Sequence, residues 1–85
     1  MGRETRTYSL IIEFFADEEG YLAYFPALPG CHTWAATYDS VLERAKEALV
    51  GYLEALADTG RVIPRELRRD PSISIGITVD VPIPL

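Results

Sequence analysis

The chain has 85 residues, 48% of them hydrophobic, and carries a net charge of −5 from 13 acidic and 8 basic side chains. A chain of this length makes one small domain, because it buries only about 60–65% of its unfolded surface. The acidic balance argues against nucleic acid as the main ligand, since phosphate binding rests on clustered Lys and Arg. One cysteine excludes an internal disulfide and fits a reducing compartment. No basic segment precedes an apolar run at the N-terminus, and no apolar run approaches the ~20 residues that span a bilayer. We therefore expect a cytoplasmic, membrane-free protein, and oligomerisation is a common remedy for so small a core.

Residues 7–16, TYSLIIEFFA, are dense in β-branched and aromatic side chains and predict a strand. Tyr8, Leu10, Ile12 and Phe14 alternate onto one face, and Thr7, Ser9, Ile11, Glu13 and Phe15 onto the other. DEEG at 17–20 suits a hairpin turn, and YLAYF returns as a second strand. Pro26, Pro29 and Gly30 interrupt it, because proline cannot donate to a ladder and glycine tolerates positive φ. CHTWAA at 31–36 predicts a third short strand and so an antiparallel meander.

The period then changes. Val41, Leu42, Ala45, Ala48, Leu49, Tyr52, Leu53 and Leu56 recur at helical spacing, opposite a face of Asp39, Glu43, Arg44, Lys46, Glu47 and Glu54. Thr37 suits the N-cap, Gly60 suits the residue after the C-cap, and Pro64 blocks continuation. RVIPRELRRD (61–70) holds half of the basic residues and is expected to be a solvated connector. In SISIGITVDVPI (72–83), Ile73, Ile75, Ile77, Val79, Val81 and Ile83 alternate strictly with small or polar residues, a half-buried strand. The order is βββαβ. A right-handed crossover would return the last strand parallel to a neighbour. The expected α+β fold is thus a four-stranded mixed sheet with one long helix on one face. One helix leaves the other sheet face bare, so Ile11 and Phe15 are expected on an oligomer face.

Chemistry-capable residues are few. Cys31 and His32 are adjacent on a strand, so they point to opposite faces and cannot share an ion locally. There is no second Cys or His to complete a zinc set, so neither a metal nor another cofactor is expected. Glu13 and Asp80, with Asp17, Glu18 and Glu19 in the turn, allow a metal-dependent nuclease as an alternative, provided that several carboxylates converge. Tyr21, Tyr24, Phe25 and Trp34 are able to stack on bases. Yet no Lys or Arg occurs between Arg6 and Arg44, which favours core packing or a protein interface.

The segment GYLAYFPALPGCHTWAATYDSVLERAKEALVGYLEAL resembles the HicB-like antitoxins. Their Gly-Tyr-x-Ala-x-x-Pro-x-Leu-Pro-Gly-Cys pattern is matched by Gly20, Tyr21, Ala23, Pro26, Leu28, Pro29, Gly30 and Cys31, then by Thr37, Ala45 and Ala48. Gly60, Ile63 and Pro64 match the family's connector. The resemblance implies a degenerate RNase H-like fold without catalytic residues, whose partner is a small, basic, RNA-cleaving, HicA-like toxin. Many members carry a C-terminal DNA-binding module. This sequence ends at Leu85 directly after the last strand, so we expect a single domain over 1–85 without that module. Tyr24, Phe25, Pro26, Leu28, Pro29 and Trp34 are the candidate partner-binding residues. A solitary oligomeric binding module, dimeric or tetrameric, is the remaining alternative.

Overall fold

A computed structural model describes residues 2–66 and 75–83. Strands β1 (Gly2–Phe15), β2 (Gly20–Tyr24) and β3 (His32–Ala35) precede helix α1 (Tyr38–Asp58), and β4 (Ile75–Ile83) follows it. The sheet order is β3-β2-β1-β4. Long β1 is shared between two neighbours: Gly2–Leu10 pair with β4, and Ile11–Phe15 pair with β2. The strand therefore begins at Gly2, well before the predicted start. The missed half, GRETR, is polar, and what holds it in the sheet is β4, with Glu4 opposite Val81 and Arg6 opposite Val79.

Every ladder is antiparallel, which corrects the expected mixed sheet. The connector gives the reason. Arg6 Nη1 donates to the Ile63 carbonyl (3.3 Å), the Tyr8 hydroxyl to the Pro64 carbonyl (2.6 Å), and the Ser9 backbone N–H to the Glu66 carboxylate. Residues 63 to 66 thus climb alongside residues 6 to 9 in the direction of β1. The climb that a parallel strand would make is already completed, and β4 runs back down from Leu10–Ile75 to Gly2–Ile83. The described part of the connector is also less solvated than expected, because Ile63 is buried in the core. Its remaining arginines, Arg68 and Arg69, and the predicted strand residues 72–74 lie outside the described residues.

Helix α1 forms as its periodicity requires. The Thr37 hydroxyl accepts the Ser40 N–H at 3.1 Å, and Val41, Ala45, Leu49 and Leu53 form the buried stripe. At the other end Gly60 has φ +71°, with Gly60 N–H donating to Ala57 and Arg61 N–H to Leu56. This is the paired C-terminal arrangement that only a left-handed residue permits. The stripe packs on Tyr8, Leu10, Ala23, Ala35 and Val81, the alternate residues of all four strands. Each buried aliphatic side chain contributes roughly 1.5–3 kcal/mol. This sheet-and-helix layer is the core. The opposite sheet face has no helix on it among the described residues.

Candidate functional site

The register assigns that second face its residues. Arg3, Thr5, Thr7, Ser9, Ile11, Glu13 and Phe15 of β1 share it with Leu22 and Tyr24 of β2, His32 and Trp34 of β3, and Thr78 and Asp80 of β4. The face divides in two where β1 changes neighbour. Over β4 it is polar: Thr5 Oγ1 donates to Asp80 Oδ1 (3.1 Å), and the Thr7 and Thr78 hydroxyls are 2.9 Å apart. Over β2 and β3 it is apolar and aromatic, with Ile11 opposite Tyr24 and Leu22 opposite Trp34. The Phe15 and Trp34 rings lie 5.7 Å apart.

Gly20 makes that aromatic contact possible. A Cβ at Gly20 would come within 2.5 Å of the Trp34 ring, so the bare glycine lets the indole lie flat against β2. The sequence suggested Gly20 as the turn glycine, but the positive φ of the hairpin belongs to Glu19 (φ +49°) after the short 3₁₀ turn Ala16–Glu18. Gly20 instead opens β2 opposite Phe15. The hairpin presents Asp17, Glu18 and Glu19 to solvent beside the ring pair. Glu13, also exposed, accepts from the Tyr24 hydroxyl at 3.4 Å, and burial followed by the Glu13 charge pushes the Tyr24 phenol upward. On the helix side of the same end, Phe14, Tyr21 and Tyr38 form a second ring chain with centroids 5.0 and 5.9 Å apart.

The expected residues distribute unevenly over this geometry. Tyr24 and Trp34, expected to meet a partner, and Ile11 and Phe15, expected to form an oligomer face, lie on one continuous surface. Phe25 and Leu28 are instead core residues, 3% and 1% exposed, so they correct the expected contact set. Their burial follows from the loop. Leu28 N–H donates to Phe25 and Cys31 N–H to Leu28, giving two consecutive turns with Pro26 and Pro29 at their second positions. Gly30 supplies the φ of +84° that a proline-glycine type II turn requires. The prolines therefore face water while Phe25, Ala27, Leu28 and Cys31 face inward. The Tyr52 hydroxyl ties the loop to α1 through the Pro29 carbonyl (2.8 Å).

The reactive alternatives fare differently. Cys31 is 4% exposed, and burial pushes its thiol up to about 11, away from the thiolate a nucleophile needs. Glu13 and Asp80 share a face, but Asp80 is level with Thr5, eight positions from Glu13 along β1. At about 3.3 Å per residue that is about 26 Å, too far to hold a common ion. Among the described residues no group of three His, Cys, Asp or Glu side chains is arranged to hold a metal. No helix among them is long and apolar enough to cross a membrane.

Comparison with known proteins places this geometry in context. Residues 8–73 match the family described as the HicB-like antitoxin of bacterial toxin–antitoxin systems. A UPF0150 protein of Archaeoglobus fulgidus is 48% identical over 48 residues, covering 55% of this chain and 67% of its own length. One from Thermoplasma acidophilum is 42% identical over 60 residues (69% and 84%), and one from Synechocystis is 30% identical over 64 residues (75% and 80%). The crystal structure of the N-terminal domain of the Burkholderia pseudomallei antitoxin HicB superposes with a TM-score of 0.65. It covers 93% of this chain and 99% of that one at 22% identity, a likeness of fold.

Proposed function

Since the chain belongs to the HicB-like antitoxin family of bacterial toxin–antitoxin systems, we propose that it acts without catalysis, by binding and occluding a small basic RNA-cleaving toxin of the HicA-like kind. The observation that carries this is the segregation of charge. Between residues 7 and 43 the chain has Glu13, Asp17, Glu18, Glu19, Asp39 and Glu43 and no Lys or Arg. An acidic end of this kind steers and holds a basic protein and repels RNA phosphates, which keeps the antitoxin off the toxin's substrate. Such an encounter belongs in the cytoplasm, where a toxin meets its RNA.

The reading includes self-association. The groove between α1 and β4, lined by Leu42, Leu49, Val50, Ile77 and Val79, carries one charge, Lys46, so a second copy meets little repulsion there. The outer edge of β4 has no ladder partner among the described residues.

The test is co-expression with the small basic product of the neighbouring reading frame. Rescue of growth, a co-purifying complex and suppressed RNA cleavage are expected. Cleavage that continues in the presence of excess chain overturns the proposal.

A further inference from the structure

Four large hydrophobic side chains stand exposed at one end of the molecule: Phe14, Phe15, Trp34 and Tyr38. The same end carries Glu13, Asp17, Glu18, Glu19 and Asp39, all exposed, and no Lys or Arg occurs from residue 7 to residue 43. On the polar half of the open face the Thr5 hydroxyl is paired with Asp80 and the Thr7 hydroxyl with Thr78. The aromatic half has nothing over it among the described residues.

We infer that the open face of the hairpin half docks a basic protein surface, with Phe15 and Trp34 as apolar anchors and Glu13, Asp17 and Glu18 as the acidic rim. This rests on the proposed toxin binding and names the surface that performs it. Tryptophan is among the residue types that dominate binding energy at interfaces, and rim charges steer encounter and set specificity. Arginine fits both components, because its guanidinium pairs with carboxylates and stacks on an indole face. A second copy of the chain does not fit this surface: it would set the same carboxylates against each other. Single-stranded nucleic acid, which also stacks on aromatics, meets the same unrelieved negative charge. Pinning the indole against Gly20 orders the anchor before binding, which lowers the entropic cost of docking.

Trp34 is the only tryptophan, so its emission reports on this surface alone. The chain is titrated with the neighbouring frame's basic product, and affinity is followed by Trp34 emission and by calorimetry. Asp17→Lys with Glu18→Lys is expected to weaken binding by about tenfold or more, and Phe15→Ala by a similar factor. Glu47→Lys with Glu54→Lys, on the exposed side of α1, is expected to leave affinity within about twofold. Circular dichroism confirms that the variants, all at exposed positions, remain folded. If the complex forms but the hairpin reversal leaves affinity unchanged, this surface is wrong while toxin binding stands. If the reversal changes only the size of a homo-oligomer, a second copy covers the face and the inference falls. If the unaltered chain forms no complex, both fall together.

Discussion

Trp34 lies against Gly20 so closely that a single added carbon at Gly20 would sit 2.5 Å from the indole. Fourteen residues separate the two in sequence, and they meet because β2 and β3 pair with Leu22 opposite Trp34. Gly20→Ala is expected to displace the indole outward, since the ring is half-exposed and has room to move. The cost is about 1–2 kcal/mol, as for mild overpacking. A red-shifted Trp emission with a lowered denaturant midpoint is the expected outcome. An unchanged spectrum would mean that the indole does not lie on the glycine.

Tyr8, fully buried, joins β1 to the connector through its hydroxyl bond to Pro64. Tyr8→Phe leaves that carbonyl unpaired and is expected to cost about 1–2 kcal/mol in urea denaturation. Amide exchange should quicken between residues 63 and 66 before it quickens in α1. Equal stability of the two proteins would show that the connector is held by other contacts.

Leu49 and Phe15 separate core from surface. Leu49 is fully buried under α1, so Leu49→Ala is expected to cost about 2–5 kcal/mol. Phe15 is 39% exposed, and Phe15→Ala should cost the isolated protein about 1 kcal/mol or less. Thermal melts decide it: a Phe15→Ala loss as large as that of Leu49→Ala contradicts a free aromatic face.

Cys31 makes stability depend on alkaline pH. Its folded value of about 11 lies above the ordinary 9.0, so the unfolded thiol ionises first. The contribution is fully present below 9.0 and is lost as pH rises through about 11. At 1.36 kcal/mol per unit it amounts to about 2–3 kcal/mol. Subtracting the pH profile of Cys31→Ala isolates it from tyrosine ionisation. The native thiol should also resist disulfide reagents until urea unfolds the chain, and rapid labelling of the folded protein would refute its burial.

The parts of the fold legible in the sequence are those governed by local rules. The stripe from Val41 to Leu56, the Thr37 cap and Gly60 specify α1, because each acts within a few residues of its neighbours. Alternation placed Tyr8 and Leu10 on one face and Ile11 and Phe15 on the other, as the strand register bears out. The candidate site was half legible. Tyr24 and Trp34 are on the open face, whereas the aromatic and apolar character of Phe25 and Leu28 says nothing of whether a loop turns them inward. That depends on two turns closing in succession.

By itself, then, the sequence determined the elements, their faces, the acidic stretch from residue 7 to residue 43 and the family. Periodicity, capping and charge are properties of short segments, and they survive reading without a structure. Tertiary structure alone decided that β4 runs antiparallel, because its direction depends on the climb of the connector past Tyr8 and Ser9. It alone decided that two expected patches, Tyr24 with Trp34 and Ile11 with Phe15, form one surface, because pairing register is a relation between distant strands. The same register brought the indole of Trp34 onto Gly20, where only the absence of a side chain leaves room for it.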